Sequence, residues 1–412
     1  MREAKFARVI REMGGRAYLV GGYVRDLIRG VQAKDKDYSL VGIREEDFVK
    51  RFPKAERVGR SFPVYILFVD NQPCEVAFAR REKKSGIGYR GFEMTFTPSI
   101  TIEEDLYRRD TTMNAIALEL PDRIFVDPFH GIDDIRAKKI RAVSKHFLDD
   151  PVRALRAARQ STELNFEITP ETYNYMEACR DELKLEPGDR ILGELKRALN
   201  SKIPSTFFRN LNRSNLLESI FPEIFDLIGK SQPSKFHPEG DAFEHSMQIL
   251  DEVSKTRSNI EIRFAALCHD LGKGTTPIEM LPHHYQHETR GIEVLERWNH
   301  RMTLPKNWLK VAKFVMLEHM RAPQMEKPGK IVEMLFSLQK SGIPIEDFVE
   351  VIRIDNHGNL PFHLEHAREI LAVLSKISGR KAPKRLHGEE VGEWVLKKRI
   401  DKYLEFKDSI LN

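Results

Sequence analysis

The stretch LVGGYVRDLIRG (19–30), followed by KDKDYSLVG (34–42), decides the fold of the first part of this 412-residue chain. It reads as a strand, a Gly-Gly turn, a helix and a second strand. Gly21 and Gly22 let the backbone approach a ligand closely, and the next helix start offers free N–H groups to phosphate. Arg25 lies one turn in, within reach of the same phosphates. Asp35 and Asp37 alternate along the entry to a strand, so both carboxylates face one side. They repel unless a cation joins them, and Mg²⁺ takes oxygen ligands while keeping substrate phosphate in its shell. A bare Gly-Gly turn is usually punctuation, and a bare Asp-x-Asp is usually a solvated pair. In this order and spacing they read together as a metal–nucleotide site.

Outward from there, AYLV (17–20), VYILFV (64–69) and CEVAFA (74–79) read as further strands. Glu75 on the last is either a third carboxylate or an exposed strand residue. The opening segment, with Phe6, Val9, Ile10 and Met13, predicts a short amphipathic helix. After about residue 145 helical periodicity takes over. The fold expected is a small α/β head on a mixed sheet, then an all-α body and a further all-α domain. SQPSKFHPEGD (231–241) reads as a linker, and GRKAPKR (379–385) precedes a helical tail.

The net charge of +5 suits a polyanion such as RNA, and equally suits Lys-rich solvated faces. Mean hydropathy is −0.45, and no apolar run approaches the roughly 18 residues of a membrane span. The charged N-terminus lacks the apolar core of a secretory signal. Three scattered cysteines favour reduced thiols and a cytoplasmic location.

Three further motifs carry chemistry. DLYRRDTTMNAIA (105–117) places Arg108, Arg109 and Asp110 before an apolar helix that Thr111 or Thr112 would cap. VDPFHGIDDI (126–135) supplies a turn and another helix start. In FLDDPVRALRAARQ (147–160), Pro151 suits the first turn of a helix. Arg153, Arg156 and Arg159 line one side of it, as a solvated face or a triphosphate clamp. Asp150 and Arg153 are helical neighbours. One acceptor beside one donor matches cytosine and adenine, and leaves polar groups unpaired against uracil and guanine.

Histidines cluster in the second half. His245, His269-Asp270 and Asp355 form an ordered set of imidazoles and carboxylates suited to a transition metal. His283, His284, His287 and His319 lie between them, and each alone reads as an ordinary surface or core histidine.

LVGGYVRD, KDKDYSLVG, FARREKKSGIGYRGFE, DLYRRDTTMNAIA, VDPFHGIDDI and DDPVRALRAAR, in this order, resemble the class II tRNA nucleotidyltransferases, the CCA-adding enzymes. The resemblance implies a nucleotidyltransferase-type mixed sheet in the head. It implies that Asp35 and Asp37 are catalytic and hold Mg²⁺, and that Gly22, Arg25 and Arg109 contact the nucleotide. Asp150 and Arg153 would read the base, and Arg156 and Arg159 would bind phosphate. RFAALCHDLGKGTTPIEMLPHHYQHE (263–288) is similar to the HD domain fused to bacterial multifunctional CCA proteins. That likeness implies a metal, often Ni²⁺, on His245, His269, Asp270 and Asp355. It also implies phosphatase, 2′-nucleotidase and 2′,3′-cyclic phosphodiesterase activities.

The expected partners are the tRNA 3′ end, CTP and ATP, with no membrane. The expected division is 1–140 head, 141–230 helical neck and body, 231–360 HD domain and 361–412 tail. The loop 81–99 implies full CCA addition. Asp149, His130, Gln160 and Met320 depart from the family pattern, which commonly has Glu, Gly, Phe and Asp there. Two other readings use the same residues: a poly(A) polymerase, and an HD hydrolase with a non-catalytic nucleotide-sensing or RNA-binding head.

Overall fold

The structure, a computed structural model, describes residues 1–33, 35–58, 62–84, 86, 92–233 and 240–411. Lys34, the middle of the 231–241 linker and the tip of the 81–99 loop lie outside the described residues. The chain forms two compact units, residues 1–194 with 206–220, and residues 195–205 with 221–412.

The first unit is built on a seven-stranded sheet. Its strands are β1 (Arg16–Val20), β2 (Asp37–Val41), β3 (Glu56–Arg57), β4 (Val64–Val69), β5 (Gln72–Phe78), β8 (Ala117–Leu120) and β9 (Ile124–Val126), in the order β3-β4-β5-β2-β1-β8-β9. A hairpin of β6 (Arg81–Lys84) and β7 (Phe92–Thr95) stands apart from it. The sheet is mixed: β2 runs parallel to β5 and antiparallel to β1. β2 and β4 coincide with the apolar runs read from sequence. Helix α1 (Glu3–Glu12) buries Phe6, Val9 and Ile10, and the Phe6 ring meets Tyr38 of β2 edge-on at 5.1 Å. This is the amphipathic face the opening sequence requires.

Helix α2 (Gly22–Ile28) follows β1, α3 (Glu45–Arg51) follows β2, and α4 (Ile102–Tyr107) opens on a Thr101/Glu104 capping box. The apolar helix expected after Arg109 does not form. Thr112–Asn114 make one 3-10 turn and the chain then enters β8, between β1 and β9. Local apolarity did not separate helix from central strand, and the sheet supplies the missing backbone partners. Neither Thr111 nor Thr112 caps that turn by its side chain; Thr112 donates to Asp134 instead (2.7 Å). Helix α5 (Gly131–Arg136) and helix α6 (Val152–Leu164) complete the motif-bearing part, with Pro151 at the N-cap of α6.

The second unit is helical. Its central helix, Ile260–Cys268, is buried from Ile262 to Cys268, as expected of a helix apolar on every side. Phe264 packs its ring against Trp298 and Trp308 at 5.4 and 4.8 Å. Arg263, the one charge in that run, is satisfied by the carbonyls of Arg257, Leu199, Ser201 and Ser254. Around it lie the helices Ala242–Thr256, His287–Met302, Lys306–Glu318 and Ile345–Asp355. Among the described residues no helix is long and apolar enough to cross a membrane.

Gly272 is where two of these segments touch. A Cβ at that position would sit 1.8 Å from the carbonyl oxygen of His287. Gly272→Ala must therefore push the backbone of His287 away, an overpacking cost of about 1–3 kcal/mol. Thermal unfolding of this variant should show a lowered midpoint. An unchanged midpoint would show that the two backbones part freely.

Candidate active sites

In the first unit, Asp37 opens β2, opposite Val20 of β1 and opposite Glu75 of β5. Glu75 is exposed on its strand and also stands in register with Asp37. Burial pushes the Asp37 carboxyl up to about 6, helped by Glu75 and Asp35 and opposed by Arg109. A carboxylate that resists ionisation between two others is a site in need of a cation, which the donor set fits. Gly21 has φ +72°, and a Cβ there would lie 3.7 Å from Asp37 Oδ2 and 3.6 Å from Arg109 Nη1. The turn thus brings bare backbone beside the carboxylate, in a conformation that glycine adopts without strain.

The cationic side is organised by Asn114 and Asp105, which sequence reasoning missed. Arg25 donates to both Asp26 oxygens and to Asn114 Oδ1 (3.1 Å). Arg109 donates to Asp105 Oδ2 (3.1 Å) and to the Asn114 carbonyl (3.4 Å), while its buried Nε has no hydrogen-bond partner among the described residues. Asp105 is 1 % exposed. Its burial works against ionisation, but Arg108 and Arg109 hold its carboxyl well below the usual range. Gln160 donates to Asp110 and accepts from Thr111, so it is tied to the Arg-Arg-Asp segment.

The base-reading candidates adjoin α6. Asp150 receives Nη2 of Arg190 on both oxygens, each at 2.9 Å, and Val152 N on Oδ1. Arg190 also binds Glu186. It lies forty residues from Asp150 in a helical run without motif character, and no local signal marks it. Arg153 is buried, and donates Nη1 to the His146 carbonyl (2.6 Å); its Nη2 is 3.6 Å from Glu82. Arg156 is the open member of the arginine row, 38 % exposed, near Asp150 and Glu194. Arg159 is buried and ion-paired to Glu194 and Glu163. The three arginines therefore differ sharply in access, which their even spacing did not reveal.

In the second unit, His245, His269 and Asp270 offer ligand atoms that lie together, as do Asp270, His287 and His319. His245 is carried in the first turn of its helix, and His269 and Asp270 end the buried central helix. His287 opens a helix, His319 closes one, and Asp355 is the last residue of another. His245 Nε2 is 3.0 Å from Asp355 Oδ1 and 3.3 Å from His269 Nε2. His287 Nε2 is 3.2 Å from Asp270 Oδ1 and 3.2 Å from His319 Nε2.

Nδ1 of His269, His287 and His319 each donates to a carbonyl three residues back, at 2.7 to 2.8 Å. This leaves the Nε2 lone pairs facing inward, the orientation of metal-binding histidine. Among the described residues neither oxygen of Asp270 has a well-formed hydrogen bond, although Lys273 Nζ lies 2.6 Å from Oδ2. Burial works against a charged His269, yet Asp270 and Asp355 push its pKa up to about 10. The carboxylates demand positive charge there. His287 and His319 were passed over in the sequence because each is an isolated histidine; only the fold brings them to Asp270. A cavity of about 540 Å³ opens over this cluster.

The family model described as "Poly A polymerase head domain" matches residues 17–141. "Probable RNA and SrmB- binding site of polymerase A" matches 165–228, and "HD domain" matches 242–350. The multifunctional CCA protein of Acinetobacter baumannii is 36 % identical, covering 95 % of this chain and 97 % of that protein. That of Nitrosococcus oceani is 38 % identical over 93 % of this chain and 96 % of its own length. The Bacillus stearothermophilus CCA-adding enzyme in complex with CTP shares the fold, with TM-score 0.65 and 24 % identity, over 97 % of this chain and 90 % of that one. A tRNA nucleotidyltransferase complexed with a primer tRNA and an incoming ATP analog aligns with TM-score 0.58 and 23 % identity, over 90 % of this chain and 98 % of that one.

The raised pKa of Asp37 has a measurable consequence. The folded protein keeps this proton up to about pH 6, above the ordinary carboxylate value, so ionised Asp37 costs stability at higher pH and a bound cation offsets that cost. A divalent cation binding at Asp37 must displace the proton at acid pH. Calorimetric titration should show Mg²⁺ affinity falling, with proton release, as pH drops from 7.5 to 5.5. Asp37→Asn should abolish that release; release persisting in the variant would place the titrating group elsewhere.

Proposed function

The chain belongs to the multifunctional CCA protein family, and we propose that it adds and repairs the 3′-terminal CCA of tRNA from CTP and ATP without a nucleic-acid template. The observation that carries this reading is Asp37, in register with Glu75, set against Gly21 and Arg109. The tRNA 3′ oxygen forms a bond to the α-phosphorus of the nucleotide, the α–β bridging P–O bond breaks, and pyrophosphate leaves. Mg²⁺ on Asp35 and Asp37 would supply charge neutralisation and activation of the attacking hydroxyl. Gly22, Arg25 and Arg109 hold the nucleotide, Asp150 accepts from the amino group of C or A, and Arg153 donates to the ring acceptor. Arg156 and Arg159 are assigned to the phosphates: Arg156 is accessible as placed, and Arg159 would have to leave its pairs with Glu163 and Glu194. The full-length likeness to multifunctional CCA proteins disfavours the poly(A) polymerase reading.

The working division is a nucleotidyltransferase head (1–140), a neck and body (141–230), an HD phosphohydrolase domain (231–360) and a tail (361–412). In the HD domain, His245, His269, Asp270 and Asp355 would hold Ni²⁺ or another transition metal. His287 and His319 converge on Oδ1 of Asp270 and would add their imidazoles to the centre. Such a centre suits hydrolysis of phosphomonoesters and 2′,3′-cyclic phosphodiesters. Cys74, Cys179 and Cys268 are buried thiols outside any disulfide among the described residues, in keeping with a cytoplasmic protein.

The decisive assay supplies tRNA lacking CCA with CTP and ATP, singly and together. CTP alone should add two C residues, and both together should complete CCA; long A tracts from ATP alone would favour the polymerase. Asp35→Ala and Asp37→Ala should reduce addition to background with tRNA binding retained. Asp150→Ala removes a charge-assisted acceptor worth roughly 1.5–3 kcal/mol, so CTP-over-UTP selectivity should fall by about one to two orders of magnitude. An unchanged ratio with a lowered melting temperature would assign Asp150 to structure. His269→Ala should lower bound metal and remove hydrolysis of 2′,3′-cyclic nucleotide while sparing CCA addition.

A further inference from the structure

The segment His283-His284-Tyr285-Gln286-His287 divides into two sets. His284 faces inward: its ring meets Thr276 Oγ1 at 2.9 Å and the Ser231 carbonyl at 3.0 Å. His287 belongs to the metal-binding cluster. Gln286 turns the chain with a positive φ of 54°. His283 and Tyr285 are left outside, on the wall of the cavity over that cluster. Their rings stack with centroids 5.9 Å apart and planes 24° from parallel, and Tyr285 is 66 % exposed. The two tethered histidines thus hold two outward aromatic rings beside the hydrolytic centre.

Phosphate recognition gives these rings no task. The cluster already supplies imidazoles and carboxylates, and Lys273 adds a fixed cation bridging Asp270 and Gln232. A two-thirds exposed aromatic face contributes little to folding. What it offers is a flat surface for a flat partner, and every nucleobase has a π-face to stack on it. The cavity, about 540 Å³, falls in the range of ordinary ligand pockets and leaves room beyond a phosphate.

We propose that Tyr285, backed by His283, is the base-stacking platform of the HD site, so the site takes a phosphoester carried on a nucleoside. This rests on the hydrolase reading above. Free nucleotides and RNA 3′ ends share that chemistry, so both are tested. The full-length protein, loaded with Ni²⁺, is assayed on 2′,3′-cyclic AMP, on an oligoribonucleotide ending in a 2′,3′-cyclic phosphate, and on methyl riboside 2,3-cyclic phosphate, which lacks the base.

Tyr285→Ala should lower kcat/KM on a base-bearing substrate by about 5- to 100-fold, through KM, with kcat nearly unchanged. It should leave the base-free substrate and the bound-metal content unaffected, and Tyr285→Phe or Tyr285→Trp should restore the loss. Loss on both base-bearing substrates assigns the platform to nucleotides generally, and loss only on the oligomer assigns it to RNA ends. Equal loss on all three substrates, or no loss on any, overturns the proposal. Wild-type protein inactive on all three, with metal bound, would instead overturn the hydrolase reading and this inference with it.

Discussion

A buried carboxylate is tolerated only where positive charge stands within reach, and that constraint shapes both units of this protein. Asp105 meets it with Arg108 and Arg109, and in doing so fixes Arg109 near Asp37 while Arg108 turns to Glu82. Asp270 meets it with its chain neighbours His269 and Lys273 and with His287 from another helix. Asp37 meets it least well. Its nearest charged neighbours include two further acids, and its pKa rises rather than falls. A site of that kind trades stability for readiness to bind a cation, as functional carboxylates commonly do.

The sheet explains why those charges meet. β2 lies between β1 and β5, so one residue at its start faces the Gly-Gly turn on one side and Glu75 on the other. Neither neighbour is close in sequence to both of the others. The helical unit works differently. It delivers its ligands from helix ends, where the backbone changes direction and a side chain can point away from the packed stripe. Close backbone approach at Gly272 then sets the distance between the Asp270 and His287 segments.

These two designs were unequally legible in the sequence. Asp35, Asp37, Gly21 and Gly22 announce themselves because turn chemistry and strand alternation are local. The β2 and β4 limits followed from apolar runs bounded by turn residues. The segment after Arg109 reads as helix in sequence because a short apolar stretch carries no period of its own; pairing of Ala117–Leu120 with β1 decides it as strand. Asn114, Arg190, His287 and His319 were missed for a related reason. Each gains its role from a partner tens of residues away or from a shared acceptor, and no spacing rule encodes that. The arginine row of α6 shows the same limit: equal spacing gave one face, but burial divides it into an open Arg156 and an enclosed Arg159.

On the proposal that Asp150 reads the base, the grip of Arg190 on it bears on how template-free selection stays accurate over many turnovers. A carboxylate on a free side chain would have to be ordered anew each time a nucleotide arrived. Here one nitrogen of Arg190 spans both oxygens and Val152 N fastens Oδ1, while Oδ2 carries the shared bond and faces Arg156 at 3.8 Å. The rotamer is therefore set when the chain folds. Its entropy loss is charged to protein stability and is absent from every catalytic cycle. In that proposal an incoming base meets a stationary acceptor, and a mismatched one finds no slack in which to adapt. Fidelity, in such a site, is a form of stiffness.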